Sequence, residues 1–380
     1  MTELVRVCTR CIMDSTADDI RFDADGVCNY CTEFVDRKHH ILTMDPAVRE
    51  RQLQDFLARV RENGKGKPYD CIIGVSGGVD SSWVLVKAID LGLRPLAVHM
   101  DNGWNSELAQ NNIANLVRGL GVDLHTHVID WFEIRGLMEA FFSADVLDVE
   151  LLYDNAMLAV NYRQAAKYGL RYLLSGLNTA TEGMALPVSW NWNKWDKRNI
   201  VGISRRFGGP RLKTFPAIGT LELVRHTFLS RIEWVPILDF FDYRKAEALD
   251  RLTREFGYKP YAYKHYESVF TRFYQGYILP QKFGVDKRKV HLSTLVMTGQ
   301  MSRDEALASA AGIAYPSEKE LETDKKYFIK KMGWTPEKLA DYIARPPKAH
   351  DDYPSEAWIF NDLRKLYKRL NLAIGRTRVT

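Results

Sequence analysis

A glycine-rich turn between a strand-forming and a helix-forming segment constrains the fold of this chain more than any other feature. Residues 69–75 (YDCIIGV) are mostly apolar and β-favouring, and residues 82–88 place apolar side chains on one side of a helix. The junction reads S-G-G-V-D-S-S over residues 76–82. Glycines let the backbone turn sharply, and the unpaired N–H groups and dipole of the following helix attract an anion. The pattern predicts a phosphate-binding turn in an α/β protein.

The residue types in this turn separate it from two common phosphate loops. A Walker loop requires Gly-Lys-Ser/Thr after a four-residue arch, and a Rossmann fingerprint requires Gly-x-Gly-x-x-Gly; the turn has neither. A plain Ser/Gly turn that caps an ordinary βα unit is the simplest alternative. The turn resembles the pyrophosphate loop of the N-type ATP pyrophosphatases, which split ATP into AMP and pyrophosphate while they adenylate a carbonyl oxygen. The resemblance implies catalytic roles for Asp80 and Ser81, and ATP contacts for Ser76, Gly77, Gly78, Asp80, Ser81 and Ser82.

Strand and helix patterns alternate through the middle of the chain. Further strands are predicted over residues 94–100, 122–128, 171–175 and 232–238. Helices are predicted over 53–61, 107–119, 153–168 and from 131 onward. This alternation predicts a doubly wound parallel sheet of the α/β class, with right-handed crossovers and with ligands at the carboxyl ends of the strands.

The end of the second strand extends the predicted site. Met100 and Asp101 stand where related pyrophosphatases receive adenine against the strand backbone. An ordinary turn is the alternative interpretation of these residues. The resemblance therefore implies that Met100 and Asp101 bind the nucleotide.

The fourth strand ends in L-S-G-L-N-T-A-T-E, residues 174–182, which resembles the second signature of the same family. Gly176 allows close approach to the nucleotide, and Asn178 is expected to hydrogen-bond substrate or phosphate. Glu182, together with Asp80, is expected to hold Mg²⁺, because this ion prefers a few carboxylates combined with phosphate oxygens. Asn178 and Glu182 are thus candidate catalytic residues.

Four of the five cysteines have the spacing of a metal site. Cys8, Cys11, Cys28 and Cys31 form C-x2-C-x16-C-x2-C, in which each pair offers two thiolates from one tight turn. Structural zinc is the favoured interpretation, since a closed shell of four thiolates leaves no open position for catalysis. An iron–sulfur cluster and four metal-free thiols are the alternatives. Cys71 lies within the first strand and is expected to be a small core residue.

Composition bounds the class of protein. The 380 residues exceed one usual domain, and we expect a zinc module over residues 1–40, an ATP pyrophosphatase domain over 41–250 and a mainly helical region over 251–380. A net charge of +5 is small for this length and does not require nucleic acid. The sequence has neither an apolar signal core nor a stretch of about 18 apolar residues, so we expect a cytoplasmic protein without a membrane span.

Aromatic and basic residues are concentrated in two further segments. An insertion over residues 187–211 carries Trp190, Trp192 and Trp195 among Lys194, Lys197 and Arg198. Contact with a sugar diphosphate is slightly favoured there over packing in the core. Farther along the chain, Arg272 and Lys282 are equally consistent with phosphate binding and with surface ion pairs.

The cysteine pairs, the S-G-G-V-D-S-S turn, the S-G-L-N segment and residues 265–293 together resemble the N-acetyl sugar amidotransferases of bacterial surface polysaccharide synthesis. The resemblance covers nearly the whole chain. It implies that the protein adenylates the acetamido oxygen of a sugar nucleotide with ATP and Mg²⁺, and that ammonia then displaces AMP to leave an acetamidino group. Lipopolysaccharide O-antigen or a related surface glycan is the implied product.

The source of ammonia is expected to lie outside this chain. Thr2, rather than a cysteine, follows Met1, and Cys71 does not stand on a nucleophile elbow. The resemblance implies separate glutaminase and cyclase-like partner subunits. Two other classes remain open: a tRNA thiolase, which also adenylates a carbonyl but needs a strongly basic RNA-binding face, and a nucleotide-binding scaffold without catalysis.

Overall fold

The computed structural model describes residues 5–261, 266–363 and 365. Five parallel strands form the sheet, in the order β3-β2-β1-β4-β5. Their bounds are β1 Cys71–Gly74, β2 Pro95–Asp101, β3 Asp123–Val128, β4 Tyr172–Ser175 and β5 Glu233–Pro236. All five predicted strands and the doubly wound parallel sheet are confirmed.

Helices separate the strands and make up most of the chain after β5. Before β5 lie α1 Asn29–Leu42, α2 Pro46–Gly64, α3 Val79–Asp90, α4 Glu107–Leu120, α5 Trp131–Ser143, α6 Leu151–Lys167, α7 Thr179–Glu182, α8 Lys197–Arg206 and α9 Thr220–Val224. After β5 come α10 Lys245–Phe256, α11 Val269–Phe273, α12 Arg288–Met297, α13 Arg303–Ala310, α14 Glu318–Met332 and α15 Pro336–Ala344. Wider π-type turns extend α9 over Arg225–Leu229 and α11 over Tyr274–Phe283, and 3-10 turns occupy Val188–Trp190, Ile237–Phe240 and His350–Asp352.

The central strands are apolar on both faces because helices cover both sides of the sheet. Ile73 of β1 packs in a cluster with side chains of α2, α3, α4 and α10. Its neighbour Ile72 faces the opposite side and packs against Ala159 and Val160 of α6. Successive residues of a strand point to opposite faces, so this alternation follows directly from the extended backbone.

An aromatic cluster joins the sheet region to the C-terminal helices. The ring of Phe142, at the end of α5, lies 5.0 Å from the ring of Trp334 and 5.0 Å from that of Tyr342. Its centroid is 5.8 Å from Phe328 of α14, and all three pairs meet edge to face. Such pairs stabilise a core beyond the area that they bury. The C-terminal helices are therefore packed into the main core of the protein.

None of the helices in the described part of the chain combines the length and apolarity that a bilayer crossing requires.

Truncation of Phe142 tests this junction. We expect Phe142→Ala to lower the free energy of unfolding by about 3–5 kcal/mol, because the side chain is 1% exposed and its loss leaves a cavity. The matched control is Phe132→Ala in the same helix, where the ring is 75% exposed and the change is expected to stay within about 0.5 kcal/mol. Urea denaturation followed by tryptophan fluorescence measures both. Equal effects of the two substitutions would contradict the packing described here.

Candidate functional site

The predicted phosphate loop, residues 76–82, lies at the carboxyl end of β1 and leads into α3. Gly78 is the N-cap residue of that helix, so the first N–H groups of α3 are exposed at the loop. Gly77 has φ +86°, and a Cβ at this position would lie 2.9 Å from the carbonyl oxygen of Ala109. Both its conformation and its surroundings therefore require glycine. The hydroxyl oxygens of Ser76 and Ser81 are 3.2 Å apart within the loop.

Gly176 brings the end of β4 against this loop. A Cβ on Gly176 would lie 2.8 Å from the backbone nitrogen of Ser81 and 2.9 Å from the carbonyl carbon of Asp80. The predicted close approach is thus present, but in this structure it is made to the loop backbone. Ser82 is 1% exposed, and its N–H donates to the carbonyl oxygen of Gly78 (3.1 Å) within the helix. Its ATP contact remains a prediction.

Asn178 shapes the turn that follows β4. Its Oδ1 accepts a hydrogen bond from the N–H of Thr181 (2.8 Å), which makes it the N-cap of α7, and its Nδ2 donates to the carbonyl of Gly176 (3.0 Å). The side chain is buried. Thr179 is held in turn by Asp239, which accepts from its N–H at 2.6 Å and from its hydroxyl at 3.0 Å. Asn178 therefore has a structural role as the cap of this turn, and its contact with substrate stays a prediction.

A tyrosine lies near both carboxylates that we expect to hold Mg²⁺. The hydroxyl of Tyr243 donates a hydrogen bond to Oδ1 of Asp80. The pKa of Tyr243 is raised above its ordinary value, mainly by burial. The negative charge of Asp80 adds to this effect, and that of Glu182 adds a smaller part. Asp80 and Glu182 thus both act on one phenol, although they are far apart in sequence. Sequence reasoning missed Tyr243, because it follows β5 without any recognisable motif.

The end of β2 lies beside the loop and is tied to it. The Val75 N–H donates to the carbonyl of Val98 (2.8 Å), and Nδ1 of His99 is 2.8 Å from the Val75 carbonyl oxygen. Asp101 accepts the Gly103 N–H (2.8 Å), which closes the turn, while Met100 is partly buried against the main core. The predicted adenine-binding residues therefore neighbour the phosphate loop, and their contact with adenine remains a prediction.

Residues after α10 also reach the phosphate loop, which the sequence did not indicate. The hydroxyls of Tyr258 and Tyr261 both donate to the carbonyl oxygen of Gly77, at 2.9 and 3.2 Å. The carbonyl of Glu267 accepts the N–H of Ser106 (2.8 Å) next to β2, and a Cβ on Gly78 would lie 3.2 Å from Oε1 of Glu267. These contacts could not be predicted from sequence, because they join segments more than a hundred residues apart.

The four predicted metal ligands lie together and fully buried. Cys8 and Cys31 have their sulfurs 3.9 Å apart, and the sulfur of Cys28 is 3.7 Å from those of both Cys11 and Cys31. A tetrahedral ion with metal–sulfur bonds of about 2.3 Å places its sulfurs about 3.8 Å apart, so the spacing fits one ion. A cluster of several irons would bind its thiolates to different metal atoms and spread them farther. Within the part of the chain that the structure describes, this is the only group of three or more such ligands.

The cysteine module is fastened to the C-terminal helices. Arg303 of α13 donates to the carbonyl oxygens of Cys11 (3.0 Å) and Cys8 (2.8 Å). The Ile12 N–H donates to the hydroxyl of Ser293 in α12 (3.2 Å). On its other side α1 packs on α7, the helix that carries Glu182. The cysteine module thus supports α7, which carries one of the candidate site residues. Burial raises the pKa of the remaining thiol, Cys71, which agrees with its expected role as a core residue.

The tryptophan-rich segment packs within the protein, so the slightly favoured ligand-contact interpretation is wrong for its buried members. Trp190 is 1% exposed, and Trp192 stacks on His350 with ring centroids 4.9 Å apart. Lys194 forms ion pairs with Asp148 (2.6 Å) and Asp154 (2.9 Å). The cause is that these side chains meet partners from distant parts of the chain, which sequence spacing does not reveal.

The other basic residues divide into two groups. Lys197 and Arg198 line a surface groove of about 830 Å³ on α8. Arg272 pairs with Asp324, and Lys282 pairs with Asp145 at 3.1 Å with its side chain fully buried. Ion pairing is therefore the role of Arg272 and Lys282 in this structure. The pairs are largely buried, so they differ from the surface ion pairs that were one of the two alternatives for these residues.

The order of the parallel strands and the S-G-G-V-D-S-S loop at the carboxyl end of the first strand form an α/β fold of the PP-loop type, with an attached cysteine module and a helical C-terminal region. Residues 267–367 match the family model of the LPS biosynthesis protein WbpG-like C-terminal domain. This match confirms the sequence-based recognition over the C-terminal region. None of the curated proteins compared with the chain matches it.

Solved structures similar to the chain include an NMN synthetase from Francisella tularensis, 15% identical, with 59% of this chain and 100% of that chain covered and a TM-score of 0.28. An NH3-dependent NAD synthetase from Campylobacter jejuni is 16% identical, covering 58% and 100%, with a TM-score of 0.28. A predicted tRNA methyltransferase subunit from Methanocaldococcus jannaschii is 15% identical, covering 47% and 74%, again at 0.28. Similarity at this level does not transfer a substrate or an activity.

The metal site yields a direct prediction. The purified protein is expected to contain one zinc ion per chain, because the four sulfurs have the spacing of a single tetrahedral site. Cys11→Ala is expected to lose the metal and to lower the melting temperature, since metal binding and folding of such a module are coupled. Cys71→Ala is the matched control and is expected to keep it. Elemental analysis with a melting curve checks both; metal-free protein with four reactive thiols would contradict the prediction.

Proposed function

We propose that the protein is an ATP-dependent amidotransferase that converts an acetamido group of a sugar nucleotide into an acetamidino group. The observation that carries the proposal is the phosphate loop at the β1–α3 junction, which contains Asp80 and lies near enough to Glu182 that both carboxylates act on Tyr243. The WbpG-like C-terminal region supports a role in surface polysaccharide synthesis, such as that of lipopolysaccharide O-antigen. The loop lacks the Walker lysine, which favours release of pyrophosphate over transfer of the terminal phosphate.

The proposed reaction needs no side-chain nucleophile. The acetamido oxygen attacks the α-phosphorus of ATP, the bond to the β-phosphate oxygen breaks, and pyrophosphate leaves toward the loop. Ammonia then attacks the imidate carbon of the adenylylated sugar, and the carbon–oxygen bond to AMP breaks to leave the amidine. Catalysis is a matter of positioning and of stabilising charge.

Chain residues supply this stabilisation. The N–H group of the N-cap residue Gly78 and those of the first turn of α3 would face the developing charge on pyrophosphate, and the dipole of the helix adds to their effect. The hydroxyls of Ser76 and Ser81 lie beside them. Asp80 and Glu182 are the residues that would hold Mg²⁺, which when bound neutralises phosphate charge. Met100 and Asp101, at the adjacent strand end, would receive the adenine.

Ammonia is proposed to come from partner subunits, a glutaminase and a cyclase-like protein, acting in the cytoplasm. The described cysteines leave no candidate nucleophile for glutamine hydrolysis, because four of them lie at the metal site and burial keeps Cys71 protonated. The chain alone is therefore expected to use ammonium but not glutamine.

An assay of the purified chain tests the proposal. With ATP, Mg²⁺, ammonium and a panel of diacetamido sugar nucleotides, we expect AMP and a sugar product in which NH has replaced the oxygen. Asp80→Asn is expected to lower kcat about 10²-fold, because removal of one group that stabilises charge in the transition state typically lowers kcat by about this factor. The matched control is Asp90→Asn at the other end of α3, where the carboxylate only pairs with Arg251 (2.6 Å). Chromatography and mass spectrometry report both products.

Three outcomes would contradict the proposal. They are AMP formation that depends on tRNA instead of a sugar nucleotide, nucleotide binding without any turnover, and turnover of glutamine by the chain alone. A titration of tRNA binding against salt separates the first outcome from non-specific attraction, since phosphate contacts weaken steeply as salt rises.

A further inference from the structure

We infer that the phenols of Tyr258 and Tyr261 hold the phosphate loop in its anion-binding conformation and thereby set the affinity for the leaving pyrophosphate. The inference deepens the proposed function and rests on it. Both residues lie beyond β5, outside the two sequence signatures from which the site was predicted. They are positioning residues, since their hydroxyls contact the loop backbone.

The geometry begins at the end of α10. Gly257 adopts φ +62° there and reverses the chain, which directs the following segment toward the loop. Tyr258 is 2% exposed, and its hydroxyl donates to the Gly77 carbonyl oxygen at 2.9 Å. Tyr261 donates to the same oxygen at 3.2 Å, and the two rings meet edge to face with centroids 6.2 Å apart. One carbonyl oxygen thus accepts two phenolic hydrogen bonds.

The orientation of this carbonyl decides where an N–H group points. The Gly77 carbonyl and the Gly78 N–H belong to one planar trans peptide, so they point in opposite directions. With the carbonyl turned toward the tyrosines, the Gly78 N–H is turned toward the serines of the loop and donates to Ser76 Oγ (3.2 Å). Glycine itself has little preference between alternative backbone conformations, so a flip of this peptide is resisted mainly by the carbonyl's partners.

Asn112 of α4 settles which way the hydrogen bonds run. Its Nδ2 donates to the hydroxyl oxygen of Tyr261 (3.3 Å) and to the carbonyl of Lys259 (3.0 Å), and its Oδ1 accepts the Lys259 N–H (2.9 Å). Because Tyr261 accepts from Asn112, its own hydrogen is available for Gly77. Burial raises the pKa of both phenols, so they remain donors at neutral pH. Asn112 is buried and fastens the tyrosine segment to α4.

The two tyrosines are expected to affect binding of pyrophosphate more than binding of AMP. An N–H turned into the loop contributes to binding pyrophosphate, while AMP is expected to depend mainly on the strand ends near Met100. The double variant Tyr258→Phe/Tyr261→Phe removes only the two hydroxyls. We expect it to weaken binding of magnesium pyrophosphate about tenfold and to raise KM for ATP, since two neutral hydrogen bonds bias the peptide by about that factor.

Calorimetric titration with magnesium pyrophosphate and with AMP, on the full chain with its metal, tests this. The matched control is Tyr69→Phe, which removes a phenol that donates to Asp123 (2.8 Å) at the amino ends of the strands, away from the loop. AMP affinity is expected to be the same in all variants, and the melting temperature of the double variant is expected to fall by only a few degrees, since it loses two neutral hydrogen bonds. The single variants Tyr258→Phe and Tyr261→Phe are expected to lose less than the double variant, and they keep the test open if the double variant folds poorly.

The possible failures are distinguishable. Wild-type protein that binds neither pyrophosphate nor ATP would overturn the phosphate assignment, and with it the proposed function. Wild-type binding that the double variant retains in full would overturn the positioning role alone. An equal loss of pyrophosphate and AMP affinity, accompanied by a larger fall in melting temperature, would assign the tyrosines a general structural role and would also overturn the inference.

Discussion

The candidate site depends on the contact between the end of β4 and the loop that follows β1. Gly176 touches the backbone of Asp80 and Ser81 so closely that a Cβ would lie 2.8 Å from a backbone nitrogen. This contact exists because β1 and β4 pair in parallel, Ile73 opposite Leu174, so that their carboxyl ends emerge together. Two segments a hundred residues apart therefore share one surface. A side chain at position 176 would push them apart and open the site.

The remaining parts of the chain support this surface from outside. The cysteine module packs on α7 through α1 and is held to the C-terminal helices by Arg303, so it joins two regions that the sheet alone would not connect. Segments after α10 reach back to the loop through Tyr258 and Tyr261. The cysteine module thus acts as a structural bridge between these regions.

Much of the fold was predictable because its signals are local. Apolar runs of strand length, helical periodicity and the turn glycines identified all five strands and the loop, and the C-x2-C spacing identified the cysteine cluster. Predictions that depended on side-chain environment did less well. The segment that contains Trp190 and Lys194 has the composition of an exposed ligand site. Trp190 is nevertheless buried, and Lys194 forms ion pairs with two carboxylates. Composition does not encode which neighbours a side chain meets.

By itself the sequence predicted a phosphate-binding loop, since a loop of two glycines at a helix N-terminus suits phosphate wherever it occurs. It also predicted that the strands run parallel and that four of the cysteines come together. Only the tertiary structure decided that Asn178 caps a helix, that Tyr243 donates to Asp80, and that two tyrosines direct one carbonyl. The physical reason is range: backbone preferences act over a few residues, whereas hydrogen bonds between distant segments exist only after the chain has packed.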